Sequence, residues 1–266
     1  MITLASDFGS PYPAAMKGVI LQEADTRLVD VTHDLPRQDV RAAAFWCRET
    51  IPYFPPAVHL VVVDPGVGTD RDAIVIRVDN HVLIGPDNGV LRPVARRLSE
   101  HASDGLPRQD DRLEYFRYDY TEPQSATFHG RDVFAPAAAV IHDHGIASLE
   151  TLDAVTSISA TATVQCEFPS ATINADSATA EGEVLVTDDF GNVITNIPGS
   201  FLTGRTGEMG TVGTTTARVT STFTGVDTGE PLLTIGSHGF VECDVNHGRG
   251  TEAFELTTED TVQITF

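Results

Sequence analysis

Five short segments of this 266-residue chain set acidic, amide, histidine or arginine side chains where apolar runs stop. They are Asp7-Phe8-Gly9, Asp64-Pro65-Gly66-Val67-Gly68 with Arg71, Pro86-Asp87-Asn88-Gly89, Phe128-His129-Gly130-Arg131-Asp132, and Asp188-Asp189-Phe190-Gly191-Asn192 followed by Thr195-Asn196. Asp64, Arg71 and His129 have the clearest joint chemistry. A carboxylate beside a guanidinium keeps its charge, so it accepts a hydrogen bond from water and acts as a weak base. A histidine can hold the second partner of that water or adjust its protonation near neutral pH. The three together can orient and activate one water without a metal. Metal-assisted hydrolysis is the rival chemistry and needs several carboxylates or histidines on one ion. Asp7, Asp64, Asp87 and His129 could supply them in principle, but no HExxH or CxxC is present. The chain also lacks a Walker loop, a GxGxxG and a GxSxG. His142-Asp143-His144 reads as a solvated helix end, where histidine suits the dipole.

Each segment also has a plain structural reading. Asp7 could cap the helix after it. The glycines of the Asp64 segment could serve a tight turn. Asp87 or Asn88 could cap the next helix, and His129 could be a hydrogen-bonded residue at a helix start. Asp188 to Asn192 could be a hairpin turn with Gly191 at positive φ.

The elements that must position these groups are alternating strands and helices. Residues 2–5 and 28–31 read as strands, and 14–22 and 40–51 as helices, the second stopped by Pro52 and Pro55-Pro56. Residues 58–63 (VHLVVV) are almost uniformly apolar, the pattern of a strand buried on both faces of a parallel sheet. Residues 73–78 and 81–84 flank Asp79-Asn80 as a hairpin, and 89–98 and 132–142 read as helices. The expected N-terminal domain, residues 1–155, is α/β: a mostly parallel sheet with flanking helices. Ligands of such sheets bind outside the carboxyl ends of the strands, where Asp7, Asp64 and Asp87 fall. From about residue 161 the chain turns β-branched and rich in Gly and Thr. Strands are expected at 161–168, 182–186, 211–219, 232–235, 241–245 and 261–266, giving an all-β C-terminal small barrel over residues 160–266.

Composition removes some classes of function. Seventeen basic residues stand against 38 acidic ones, a net charge of −21. Such a surface disfavours nucleic acid, which needs a basic footprint. Lys17 is the single lysine, and from residue 151 onward 16 acidic side chains meet only 3 basic ones. This balance suits molar salt, where counterions screen repulsion, so a halophilic source is expected. Cys47, Cys166 and Cys243 lie too far apart for a disulfide framework. No run approaches the ~18 apolar residues that cross a bilayer, and the start of the chain does not read as a signal peptide. A cytoplasmic protein with no membrane partner is expected.

In order along the chain, these motifs resemble the S-adenosylmethionine (SAM) hydroxide adenosyltransferases, or SAM hydrolases, relatives of fluorinase and chlorinase. The matching text is Asp7-Phe8-Gly9, Met16-Lys17-Gly18-Val19-Ile20, Val63-Asp64-Pro65-Gly66-Val67-Gly68-Thr69, Gly85-Pro86-Asp87-Asn88-Gly89, Thr127-Phe128-His129-Gly130-Arg131-Asp132, the run from Asp188 to Asn196, and Gly236-Ser237-His238-Gly239. The resemblance implies an α/β domain followed by a β-barrel, in a homotrimer whose ligand lies between the N-terminal domain of one subunit and the C-terminal domain of its neighbour. It implies conversion of SAM and water to adenosine and L-methionine, with no cofactor and no metal. Asp64, Arg71 and His129 map to the catalytic triad and Asp7 to the group holding the ribose hydroxyls. Asp188 and Asn192 map to the methionine amino-acid end, Ser237 to the same region and Asn246 to the adenine. Halogenating relatives carry Tyr at the Asp64 and His129 positions and a halide pocket near Gly130, which puts this chain with the hydrolases. It departs from the pattern in a long acidic stretch at 106–122, read as a salt-related surface insertion, and in Cys243. Two other functions stay open: a non-catalytic SAM- or adenosine-binding module, and a metal-dependent phosphohydrolase.

Overall fold

The computed structural model describes residues 1–101 and 112–266. The chain divides into two compact units, Met1–Glu167 and Phe168–Phe266. The division falls beyond the 155–160 boundary read from composition because Val155–Ile158 pairs with Leu113–Tyr118 and so completes the first sheet.

The first unit runs β1 (Ile2–Ser6), α1 (Tyr12–Glu23), β2 (Leu28–Thr32), α2 (Val40–Thr50), β3 (Val58–Val62), β4 (Ala73–Val78), β5 (His81–Pro86), α3 (Leu91–His101), β6 (Leu113–Tyr118), α4 (Ala135–His144) and β7 (Val155–Ile158). The strand order is β2-β1-β3-β5-β4-β6-β7. The first four are parallel neighbours. The hairpin at Asp79-Asn80 then reverses the chain, and β4, β6 and β7 add on antiparallel. The sheet is thus half parallel and half antiparallel. Every residue of β1 and β3 is buried, as expected of parallel strands covered on both faces. Met16 and Ile20 of α1 and Ala137, Ala138 and Ile141 of α4 pack in one core with Ile2, Leu4, Val58 and Leu60. Burying one large aliphatic side chain contributes about 1.5–3 kcal/mol, so this core fixes the strand ends from which the polar segments project. Asp39 caps α2, its Oδ1 accepting from Ala42 N at 2.9 Å.

Two expectations change here. The helix read from residue 132 is preceded by a wide π-type turn, Gly130–Phe134, and α4 begins at Ala135 with a proline in its first turn, where a missing N–H costs nothing. Part of the acidic stretch 106–122 is the sheet strand β6 rather than a surface insertion; its residues up to 111 lie outside those described.

The second unit runs β8 (Thr172–Asn174), β9 (Thr179–Thr187), β10 (Val193–Pro198), β11 (Met209–Val212), β12 (Thr215–Val219), β13 (Pro231–Ile235), β14 (Phe240–Val245), α5 (Gly250–Ala253) and β15 (Thr261–Thr265). The order β10-β14-β13-β12-β11-β15-β9, closed by pairing of β9 with β10, makes a seven-stranded barrel, with β8 attached beside β9. Val184, Val193, Ile197, Leu233, Val241 and Cys243 fill its interior. Cys243 is therefore a small apolar core residue. The strand expected at 161–168 is absent. Thr163 Oγ1 and Gln165 Nε2 both bond back to Ala160 O, at 2.9 Å each, and these local bonds replace a ladder. The 211–219 run is two strands, β11 and β12, paired across a turn with Gly213 at φ +58°. Among the described residues, no helix is long and apolar enough to cross a membrane.

Candidate active site

Because β1, β3 and β5 are parallel neighbours, the residues that follow them share one edge of the sheet. Asp7 directly follows β1, Asp64 lies two residues beyond β3, and Asp87 directly follows β5. The sequence assigns all three to strand ends, and the topology puts those ends side by side.

Asp7 is not a helix cap: the capping position of α1 is Pro11, and it makes no side-chain capping bond. Its Oδ2 instead accepts from Gln38 N at 2.7 Å. Gln38 adopts φ +61°, an uncommon conformation for a side-chain-bearing residue, and sits immediately before the Asp39 cap of α2. Asp7 and Asp64 line one cavity of about 790 Å³ together with Phe8, Tyr12, Arg37 and Phe128. The rings of Phe8, Tyr12 and Phe128 meet edge to face, with centroids 5.4 to 6.5 Å apart. Gly130 makes this possible, since a β-carbon there would come within 2.7 Å of the Phe8 ring.

Asp64 is held through one oxygen. Its Oδ1 accepts from Arg71 Nη1 at 2.7 Å and from Gly66 N at 3.1 Å. Among the described residues no donor reaches Oδ2. The Asp64 side chain is 6% exposed and that of Arg71 28%. A β-carbon on Gly66 would overlap the Arg71 guanidinium, so this glycine leaves the space through which Arg71 reaches Asp64.

His129 is buried at the start of the π-type turn, its ring edge-on to Tyr120 at 6.3 Å. It lines a second cavity of about 710 Å³ with Arg71, Asp72 and Tyr120. The structure thus joins Asp64 to Arg71 directly, and His129 lines the same second cavity as Arg71. Asp87 accepts from Val164 N at 2.9 Å. Burial, with help from Asp72, raises its carboxyl above the usual range against the opposing pull of Val164 N–H and Arg71. Asn88 donates to Val63 O at 2.7 Å and accepts from Val90 N, so this segment ties β5 to the end of β3. Among the described residues, no group of three or more His, Cys, Asp or Glu side chains is arranged to hold a metal. The first histidine of His142-Asp143-His144 is not merely solvated: its Nε2 lies 2.8 Å from the Met1 amino nitrogen and 2.9 Å from Thr26 Oγ1.

In the barrel, Asp188 and Asn192 form the β9–β10 turn around Gly191 at φ +89°. Asn192 donates through N to Asp188 Oδ1 and through Nδ2 to Asp188 Oδ2, both at 2.9 Å. Ser237 lies in the β13–β14 turn, its Oγ 3.5 Å from His238 Nε2. Asn246 follows β14 and donates to Val226 O at 2.9 Å. Thr195 and Asn196 are buried and structural: Thr195 Oγ1 donates to Val241 O, and Asn196 bonds to Pro169 O and Glu183 N. Sequence reasoning did not single out Tyr12, Arg37, Gln38 or Phe128 as cavity residues. Phe128 stands inside a recognised motif, but the backbone twist at Gln38 has no sequence signal.

Residues 2–152 match the model of the SAM hydroxide adenosyltransferase N-terminal domain, and residues 182–263 match that of the C-terminal domain. A Salinispora arenicola protein named (R)-S-adenosyl-L-methionine hydrolase is 37% identical over 268 residues, spanning 99% of this chain and 97% of its own. A Thermus thermophilus protein of the same name is 38% identical over 94% of each chain. The solved structure of an uncharacterized conserved protein from Thermotoga maritima superposes with a TM-score of 0.81 at 31% identity over 100% of both chains. Both domain models match in order and the relatives span nearly the whole length, so the chain belongs to the SAM hydroxide adenosyltransferase family.

Proposed function

We propose that this protein hydrolyses SAM to adenosine and L-methionine, water displacing methionine at ribose C5′. The observation that carries this reading is Asp64: one oxygen is locked by Arg71 and the Gly66 N–H, and the other meets no donor among the described residues, in a carboxylate that lines a cavity walled by three aromatic rings. The relatives' printed names point to the same substrate. The sulfonium of SAM leaves as a neutral thioether, so the reaction asks for no acid. It asks for a water in line with the C5′–S bond, and such positioning can contribute roughly 7–11 kcal/mol. The water oxygen bonds to C5′, the C5′–S bond breaks, and its electron pair stays on sulfur. Asp64 Oδ2 accepts the water's proton or its hydrogen bond. Arg71 fixes that carboxylate, and His129, which lines the same cavity as Arg71, gives the third polar contact. Asp7 holds the ribose hydroxyls, and Phe8, Tyr12 and Phe128 give the nucleoside an apolar wall. Asp188, Asn192 and Ser237 take the methionine end and Asn246 the adenine. No step calls for a cofactor or metal. Incubating the purified protein with SAM should yield adenosine and methionine in equal amounts, with or without EDTA. Intact SAM would overturn the reading, and activity lost in EDTA and restored by a divalent ion would overturn metal independence.

We also infer a homotrimer with shared sites. Asp7, Asp64 and His129 belong to one compact unit and Asp188, Asn192, Ser237 and Asn246 to the other, and the family resemblance supplies the trimer. Mixing inactive Asp64→Asn subunits with inactive Asn192→Ala subunits should restore part of the activity. A light-scattering mass of one chain in a fully active sample would refute it. The net charge of −21 supports adaptation to molar salt, where the Debye length is about 3 Å. Full activity and unchanged mass at ~0.05 M salt would argue against that dependence.

A further inference from the structure

A second polar network lies at the end of β1. The register of β1 on β2 pairs Ala5 with Thr32, which brings the next residues, Ser6 and His33, side by side. Ser6 Oγ is 2.8 Å from His33 Nδ1. On the other side of the ring, Nε2 lies 3.2 Å from Asp30 Oδ1, an ion-pair contact that is not aligned as a hydrogen bond. Asp30 Oδ2 accepts from Lys17 Nζ of α1 at 2.9 Å. Burial works to raise the Asp30 carboxyl, but Lys17 and His33 outweigh it and hold it below its usual range. A carboxylate there favours a hydrogen on Nε2, which leaves Nδ1 of the neutral ring to accept from the Ser6 hydroxyl. Lys17, the one lysine of the chain, is thus linked through Asp30 and His33 to Ser6.

Serine, histidine and aspartate linked in that order are the constellation of a nucleophilic hydrolase. That use is closed here, because Ser6 is 0% exposed and neither Ser6 nor His33 lines the cavity of Asp7 and Asp64. What the network holds is the loop that runs from His33 to the Asp39 cap. Gly9 N donates to His33 O at 2.9 Å, and Leu35 N donates to Ser6 O at 3.3 Å. The loop then reaches Gln38, whose N–H donates to Asp7 Oδ2 at 2.7 Å from a backbone at φ +61°. A side-chain-bearing residue keeps such a conformation only where its surroundings over-determine it. Asp39, bonded to Ala42 N, fixes one end of the loop. The Ser6–His33 bond and the two backbone bonds fix the other. Ser6 also precedes Asp7 in the chain, so one anchor sets both the carboxylate and the N–H that aims it.

We propose that His33 is a positioning residue: through Ser6 and the 33–38 loop it orients Asp7 toward the ribose hydroxyls. This rests on the SAM reading, in which Asp7 holds those hydroxyls, and adds to it the group that sets the direction of Asp7. The signature is one of discrimination. A well-aimed carboxylate favours a nucleoside with ribose hydroxyls over the same nucleoside without them, and a misaimed one loses that preference while the rest of the cavity still binds.

The test is calorimetric binding of adenosine and 2′,3′-dideoxyadenosine to the full chain and to its Ser6→Ala, His33→Ala, His33→Asn and Asp7→Ala variants. The unaltered protein should prefer adenosine by at least about tenfold, the scale of one charged hydrogen bond. Ser6→Ala and His33→Ala should each bind adenosine about three- to tenfold more weakly, part or all of that bond, and 2′,3′-dideoxyadenosine as the unaltered protein does. Combined, they should lose no more than either alone, because both cut one interaction. His33→Asn, whose side-chain oxygen can accept where Nδ1 does, should restore the preference. Ser6→Ala removes a single buried atom and decides the matter if His33→Ala fails to fold. Equal weakening of both nucleosides, or a lowered melting temperature with the preference intact, would show a purely structural network and overturn the proposal. An Asp7→Ala variant that keeps the preference would overturn the ribose assignment of Asp7, and the proposal with it. An unaltered protein that binds neither nucleoside would overturn the SAM reading itself.

Discussion

Asp64→Asn should slow SAM turnover by about 10²–10⁴-fold, the usual contribution of a positioned base, while SAM still binds. The amide can keep the contacts that fix the side chain, since its carbonyl oxygen can accept from Arg71 Nη1 and Gly66 N as Oδ1 does. What changes is the atom in the Oδ2 position. A donor NH₂ replaces an acceptor, so a water there turns a lone pair toward the protein and loses its proton acceptor. The fold has little reason to respond, because the substitution conserves shape. Single-turnover rates with equilibrium binding of SAM separate the two effects. Unchanged turnover would reject Asp64 as the group that handles water.

Gly66→Ala should cost about 10²-fold in turnover, the scale of an ångström-level misplacement of catalytic groups, with the melting temperature nearly unchanged. The added β-carbon falls on the Arg71 guanidinium, the far end of a flexible and partly exposed side chain. Arg71 swings away rather than the loop moving, and Asp64 loses the partner that holds it. Arg71→Ala should show a similar loss, and the double variant no further loss, because both changes remove one interaction. Additive losses, or a Gly66→Ala enzyme with full activity, would show that the ion pair does not position the carboxylate.

The parallel half of the sheet was legible because a strand buried on both faces has a distinctive run: Val58 to Val63 has no polar face to confuse with a helix. The Asp79-Asn80 hairpin was legible from its turn residues. The 161–168 segment has the β-branched content of a strand, but side-chain bonds to Ala160 O decided its local structure. The π-type turn before α4 has no sequence signature, and the close approach of Phe8 to Gly130 within it is a contact that only the folded chain brings about. Asp64 and Arg71, seven residues apart in one motif, were readable as a pair. Ser6 and His33 were not: they lie on different elements, and only the pairing of β1 with β2 brings them together.

Isotope labelling tests the central claim most directly. In water enriched in ¹⁸O, the protein should convert SAM to methionine without label and adenosine carrying one solvent oxygen at C5′, because a solvent molecule beside Asp64 is the nucleophile. Intact SAM, or adenosine free of solvent oxygen, would contradict the account.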